Sequence, residues 1–202
     1  RIGIKQNLNL RKGINKLGIQ FEETHAGAHW GDINNDGLQD FIIMTFYGCR
    51  FIDVYLQKPD HTFELKSWDW GIDKFCSASD AGFADYNNDG RLDLFTGNNG
   101  QLRVMKNNYP IEFGYVQIEV ESKTCNKIGL GARVKVFSKG NQYMQDITSG
   151  SGAFIQNPPR LFFGLPYWQI DSVQVWWPNE NYTHDTYTGL KYNNIYKLKE
   201  GG

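Results

Sequence analysis

Asp32-Ile33-Asn34-Asn35-Asp36-Gly37-Leu38-Gln39-Asp40 and Asp85-Tyr86-Asn87-Asn88-Asp89-Gly90-Arg91-Leu92-Asp93 carry one pattern, D-x-N-N-D-G-x-x-D, in two copies. Oxygen-bearing side chains recur at alternate positions, and a glycine stands where the chain must turn sharply. Such a loop can wrap a hard divalent cation. Calcium takes roughly six to eight oxygens, and Asp, Asn and a main-chain carbonyl supply them without competing nitrogen or sulfur. The candidate ligands are Asp32, Asn34, Asp36, the Leu38 carbonyl and Asp40 in the first loop. In the second they are Asp85, Asn87, Asp89, the Arg91 carbonyl and Asp93. Three carboxylates outweigh one divalent ion, so without metal their like charges repel. One copy would also read as a polar Asx-turn with no ion. Repetition of the same ligand pattern favours two calcium sites.

The flanks of the loops match as well. Ala28-His29-Trp30-Gly31 precedes the first loop and Gly82-Phe83-Ala84 the second. Phe41-Ile42-Ile43-Met44-Thr45-Phe46 follows the first, and Leu94-Phe95-Thr96-Gly97 the second. A repeat period of about fifty residues points to propeller-type or solenoid β units. The first unit parses as strands over 28–31, 40–47, 51–57 and 63–68, with turns at the metal loop, at Gly48-Cys49 and at Lys58-Pro59-Asp60-His61. In that meander Gly48-Cys49 and the exit near Cys76 share one end, which makes a Cys49–Cys76 disulfide an expectation. The second unit is shorter, with strands near 92–96 and 102–106 joined at Asn98-Asn99-Gly100 and no clear fourth strand. A helical calcium module is disfavoured. An EF-hand needs a helix after the loop and a bidentate Glu at its twelfth position, where this chain has Ile43 and Thr96.

With 202 residues the chain holds one large or two small domains. Aromatics at 15% and 22 glycines, against 6 prolines, favour pleated half-buried surfaces and frequent tight turns, hence an all-β protein. Net charge of −1 gives no reason to expect nucleic acid as partner, and no apolar run is long enough to span a bilayer. The chain opens at Arg1 rather than Met, which agrees with a processed secreted form. Cys49, Cys76 and Cys125 make an odd count and fit no zinc spacing. Beyond residue 110 the pattern changes. Short strands are expected at 115–121, 132–138, 142–148, 161–165, 172–177 and 195–199, forming a small sandwich or barrel.

Taken together, the chain resembles proteins that join calcium-binding propeller repeats of the FG-GAP/VCBS type to a C-terminal ASPIC/UnbV domain. Gly31-Asp32…Asp40-Phe41 and Ala84-Asp85…Asp93-Leu94-Phe95 carry the first likeness. Ile128-Gly129-Leu130-Gly131-Ala132-Arg133-Val134, Ile147-Thr148-Ser149-Gly150-Ser151-Gly152-Ala153-Phe154, Phe163-Gly164-Leu165 and Val173-Gln174-Val175-Trp176-Trp177-Pro178 carry the second. The resulting division is an extended segment over 1–24, two repeats over 25–110 and the UnbV-like domain over 111–202. The resemblance implies an extracellular, calcium-stabilised, non-catalytic role in adhesion, matrix or assembly. Such families usually have enough repeats to close a ring, whereas fewer than two are present here. Two blades cannot close, so sheet edges stay open to a further strand. Residues 2–10 or 19–23 of a neighbouring copy are candidate donors, in a ring or a filament.

Catalytic chemistry finds little support. His25, His29, His61 and His184 are scattered, Ser149-Gly150-Ser151-Gly152 is not a nucleophile elbow, and Gly129-x-Gly131 lacks the rest of a dinucleotide fingerprint. Metal-bound carboxylates are held ionised and make poor proton shuttles. Trp176 and Trp177 are neighbours on an expected strand. If Val173, Val175 and Trp177 face the core, Trp176 faces out as a candidate partner contact. That leaves two competitors to self-association: a calcium-scaffolded carbohydrate- or protein-binding module, and an accessory subunit of a secreted enzyme.

Overall fold

The computed structural model describes residues 16–20, 25–45, 52–72, 78, 80–98, 100–152 and 155–202. Its described elements are almost entirely strands, arranged in four sheets. The first sheet is a four-stranded antiparallel meander of β1 (His25–Gly31), β2 (Asp40–Thr45), β3 (Asp53–Gln57) and β4 (Phe63–Leu65), and the second is a three-stranded meander of β5 (Asp80–Ala84), β6 (Asp93–Asn98) and β7 (Gln101–Met105). These are the two propeller-type blades, and each acidic loop is the tip of a blade's first hairpin, closing at Gly31↔Asp40 and Ala84↔Asp93.

The blades pack through one apolar cluster. Ile42, Met44, Val54 and Leu56 from the first meet Ala81, Phe83, Leu92 and Leu94 from the second. Alternation along β2 and β3 sends Phe41, Ile43 and Tyr55 to the opposite face, where Phe63 and Ile19 join them. Blade 1 is therefore apolar on both faces.

β4 is shorter than the expected 63–68. Lys66 donates its backbone N–H to the Val54 carbonyl and Ser67 Oγ accepts the Val54 N–H, which diverts the ladder. The chain then turns as the Trp70 N–H reaches the Lys66 carbonyl. Residues 46–51, 73–77 and 99 lie outside the described residues, and with them Cys49, Cys76 and the expected disulfide. Of the candidate donor segments, 2–10 and 21–23 also lie outside. Residues 19 and 20 are committed to their own chain: Ile19 packs on blade 1, Gln20 donates its N–H to the Tyr55 hydroxyl, and the neighbouring Leu17 carbonyl accepts the Phe63 N–H.

The C-terminal half is a sandwich, and the barrel alternative is corrected: its strands form two separate sheets. One runs in the order β10 (Asn141–Asp146), β9 (Arg133–Ser138), β12 (Ser172–Trp176), β13 (His184–Tyr187). The other runs β11 (Leu161–Leu165), β8 (Gly114–Glu121), β14 (Asn194–Lys199). Val116, Ile118, Val134, Val136, Phe163, Val173, Val175 and Trp177 fill the space between them. β13 went unforeseen because His184-Asp185-Thr186-Tyr187 is polar. It is held by pairing to β12, with the Trp177 indole N–H donating to Asp185 Oδ2 at 2.8 Å. β14 lies parallel to β8.

Glu200, just past β14, secures this end of the domain. Its Oε2 accepts the Ser122 hydroxyl and the N–H groups of Lys123 and Thr124, and its Oε1 accepts the Thr124 hydroxyl. Burial pushes the carboxyl up, but the Thr124 and Ser122 hydroxyls and the two N–H groups outweigh it and hold the pKa at about 2. A depressed carboxylate contributes stability above its unfolded pKa of about 4.3 and loses it as pH falls toward 2. Glu200→Gln is therefore expected to lower stability by about 1.5–3 kcal/mol at neutral pH. It should also flatten the acid limb of stability between pH 4 and 2, as read by urea unfolding across that range.

Candidate metal centre

Both loops fold by the same set of hydrogen bonds. Asn35 and Asn88 take φ of 61° and 56°, Gly37 and Gly90 φ of 83° and 82°. That left-handed pair turns the loop within its acidic stretch. Asp32 Oδ2 accepts the Gly37 N–H and Asp85 Oδ2 the Gly90 N–H, each at 2.9 Å. The Asp36 N–H bonds Asn34 Oδ1, and the Asp89 N–H bonds Asn87 Oδ1. Asp40 accepts the N–H groups of Ile33 and Gln57, while Asp93 accepts those of Tyr86 and Asn107. The last aspartate of each loop thus ties the hairpin tip to the end of the third strand of its blade.

Asp32 is 1% exposed and Asp40 fully buried. Burial is the main cause that pushes Asp32 well above the ordinary carboxylate range, with Asp40 and Asp36 adding repulsion. Asp40 is pushed up to about 7, again chiefly by burial. Burial raises Asp93 too. In the second loop Lys106 Nζ and Arg91 approach Asp89 Oδ2 at 3.2 and 3.7 Å and supply some countercharge.

The residues fit a hard cation by their donor set and by one orphan. Every candidate ligand is an oxygen, and the buried Asp32 Oδ1 has no hydrogen-bond partner among the described residues. Some of the candidate ligand oxygens bond within the loop: Asp36 accepts the Leu38 N–H and the Asn34 amide, and Asp89 accepts the Asn87 amide. Among the described residues no three His, Cys, Asp or Glu side chains already stand at metal-ligand spacing. The proposed ligand set needs the Asn side chains and the Leu38 and Arg91 carbonyls as well as the carboxylates.

Sequence reasoning missed the donors that the C-terminal sandwich sends into these loops. The Gly164 N–H reaches Asp32 Oδ2 at 3.1 Å, and Gln117 Nε2 reaches Asp85 Oδ2 at 2.7 Å. Gln117 sits in a strand whose neighbours Val116 and Ile118 face the sandwich core, so alternation alone aims it at the blades. Its target was invisible without the fold. Trp176 lies on the outer face of β12, opposite Val173, Val175 and Trp177; it is half-buried, stacked on His184 at 4.2 Å with Lys135 Nζ 5.1 Å from the ring. Cys125 is a free thiol. No helix among the described residues is long and apolar enough to cross a membrane.

Comparison with known families agrees with this architecture. Residues 32–96 match the FG-GAP-like repeat family and residues 122–202 the ASPIC and UnbV family. No curated protein matches the chain. The first match begins on Asp32 and spans both acidic loops, and the second covers most of the sandwich. The chain therefore joins an FG-GAP-like repeat region to a C-terminal ASPIC and UnbV domain.

Proposed function

We propose that this chain is a non-catalytic, calcium-dependent structural or adhesive protein of the cell exterior that associates with copies of itself or with another extracellular protein. The loops would hold two calcium ions through Asp32, Asn34, Asp36, the Leu38 carbonyl and Asp40, and through Asp85, Asn87, Asp89, the Arg91 carbonyl and Asp93. Bound calcium supplies positive charge to carboxylates that burial has stripped of solvent. Extracellular calcium modules bind at roughly 10⁻⁴ to 10⁻³ M.

The observation that carries the association is that the second blade has three strands among the described residues. Blade 1 has four strands, and its edge strand β4 is met at Phe63 by the Leu17 carbonyl. Among the described residues blade 2 has no strand beyond β7, where Leu102 is 72% and Val104 47% exposed. An apolar edge strand is a template for strand addition. Trp30, on the outer face of blade 1 against Phe41 and Phe63, is 56% exposed and offers a second contact.

Light scattering and negative-stain microscopy test the reading on the native chain. In millimolar calcium the expected result is a concentration-dependent oligomer or filament that disperses in chelator, with Leu102→Lys blocking growth. A monomer at all concentrations in calcium, alone and with extracellular extract, would remove the proposal.

A further inference from the structure

The sandwich does not hang from the blades by its connector alone; it sits on both acidic loops. Gly37 lies under the Tyr143 ring, where an added Cβ would come within 2.5 Å of Cε1. Gly90 lies under Tyr115, where the same atom would come within 2.2 Å. Arg160 donates to Asn88 Oδ1 at 3.2 Å. The loops also touch each other, Asn35 Nδ2 donating to the Gly90 carbonyl at 2.9 Å.

The first aspartate of each loop is held in the same way by different means. One oxygen, Oδ2, takes two N–H donors. The first comes from the loop's own sixth-position glycine, Gly37 or Gly90. The second comes from the sandwich: the Gly164 main chain for Asp32, the Gln117 side chain for Asp85. In the first loop this leaves Oδ1 buried and, among the described residues, without a hydrogen-bond partner. Two sheet positions far apart in sequence, on β11 and β8, thus perform one task with unrelated chemistry.

We propose that the C-terminal sandwich completes both calcium sites, with Gly164 and Gln117 as positioning residues for Asp32 and Asp85, so that calcium binding and docking of the sandwich on the blades are thermodynamically linked. The inference rests on the calcium reading above. A carboxylate whose outer oxygen is fixed by two donors needs less ordering when it meets a cation, so the docked domain raises affinity. By reciprocity calcium then favours the docked arrangement by the same factor. Second-shell donors of this kind are worth about 10–100-fold in metal affinity.

Two measurements on the full chain test it. Calorimetric titration with calcium chloride should find two sites in the wild type. Gln117→Leu, which keeps side-chain volume and removes the donor, should weaken one of them about tenfold or more and spare the other. Gly164→Ala forces a Cβ to within 2.0 Å of Asp32 Oδ2 and should weaken the other site. In parallel, trypsin and chymotrypsin cleavage of the connector at residues 106–113, which carries no regular structure, should be slow in calcium and faster in chelator. Gln117→Leu should cleave faster than wild type in calcium. Should Gly164→Ala fail to fold, Gln117→Leu and the wild-type cleavage rates still decide. Wild-type affinities in a folded Gln117→Leu together with calcium-independent cleavage overturn the coupling and leave the calcium reading standing. No calcium uptake by the wild type overturns both.

Discussion

In chelator at pH 8, Asp32→Asn melts higher than the wild type; in millimolar calcium it melts lower. The crossover follows from what surrounds the side chain. Asp32 is buried beside Asp40 and Asp36, and Oδ2 alone accepts hydrogen bonds. Asn keeps that accepting oxygen and places its amide where Oδ1 stood without a partner. Without metal the substitution relieves the burial cost and the repulsion from Asp40 and Asp36, which the Gly37 and Gly164 N–H groups only partly offset, a gain on the order of a few kcal/mol. With calcium it removes a ligand instead. For a chain of this size each kcal/mol moves Tm by about 2–4 °C, so shifts of about 5–10 °C of opposite sign are expected by calorimetry.

The wild type supplies the matching pH profile. Asp40, pushed up to about 7 in the metal-free fold, titrates near 3.9 when unfolded. A raised carboxylate contributes stability that is complete below about pH 4 and is lost as pH rises through 7. In chelator the stability curve should therefore fall between about pH 4 and 7. In saturating calcium that fall should vanish. A wild-type Tm that ignores both chelator and pH in this window would count against the metal reading.

The second large effect is expected at Phe162. On β11 the odd positions Leu161, Phe163 and Leu165 face the sandwich core, whereas Phe162 faces the other way into the cluster between the blades, stacked on Tyr115 at 5.7 Å. Truncating a buried Phe costs about 3–5 kcal/mol. Phe162→Ala should impose that cost on the blades and not on the sandwich, so denaturant unfolding should split into two transitions, the blades first. Phe163→Ala, one residue on, should lower the sandwich transition instead. Loss of both transitions together in each variant would show that the two parts unfold as one unit regardless of the contact removed.

The repeat was legible because its signal is local. Asx and Gly positions within nine residues define each loop, and the flanking strands alternate or run apolar as β structure requires. The sandwich strands showed themselves for the same reason, down to Val173, Val175 and Trp177 facing inward. What escaped was relational. β13 is polar and owes its place to its neighbour. Leu161–Leu165 reads as one apolar run because it is buried on both faces, and a run of that kind does not say which core takes which side chain. Gln117 and Gly164 look like an ordinary strand glutamine and glycine. Only a fold that lays the sandwich against the blades gives them an aspartate to hold. Alternation put Trp176 on the outer face, but it could not show that His184 and Lys135 pack against the ring from the strands on either side.

The parallel pairing of β14 with β8 bears on load. The register runs from Asn194↔Val116 to Lys199↔Glu121, joining the first and last strands of the domain side by side and pointing the same way. Tension applied between the start of β8 and the end of β14 draws the two strands past each other lengthwise. The ladder must then yield all at once under shear rather than unzip one bond at a time. A module tethered at those two points resists stretching far better than its modest size would imply, which is an asset for any protein strung between surfaces that move.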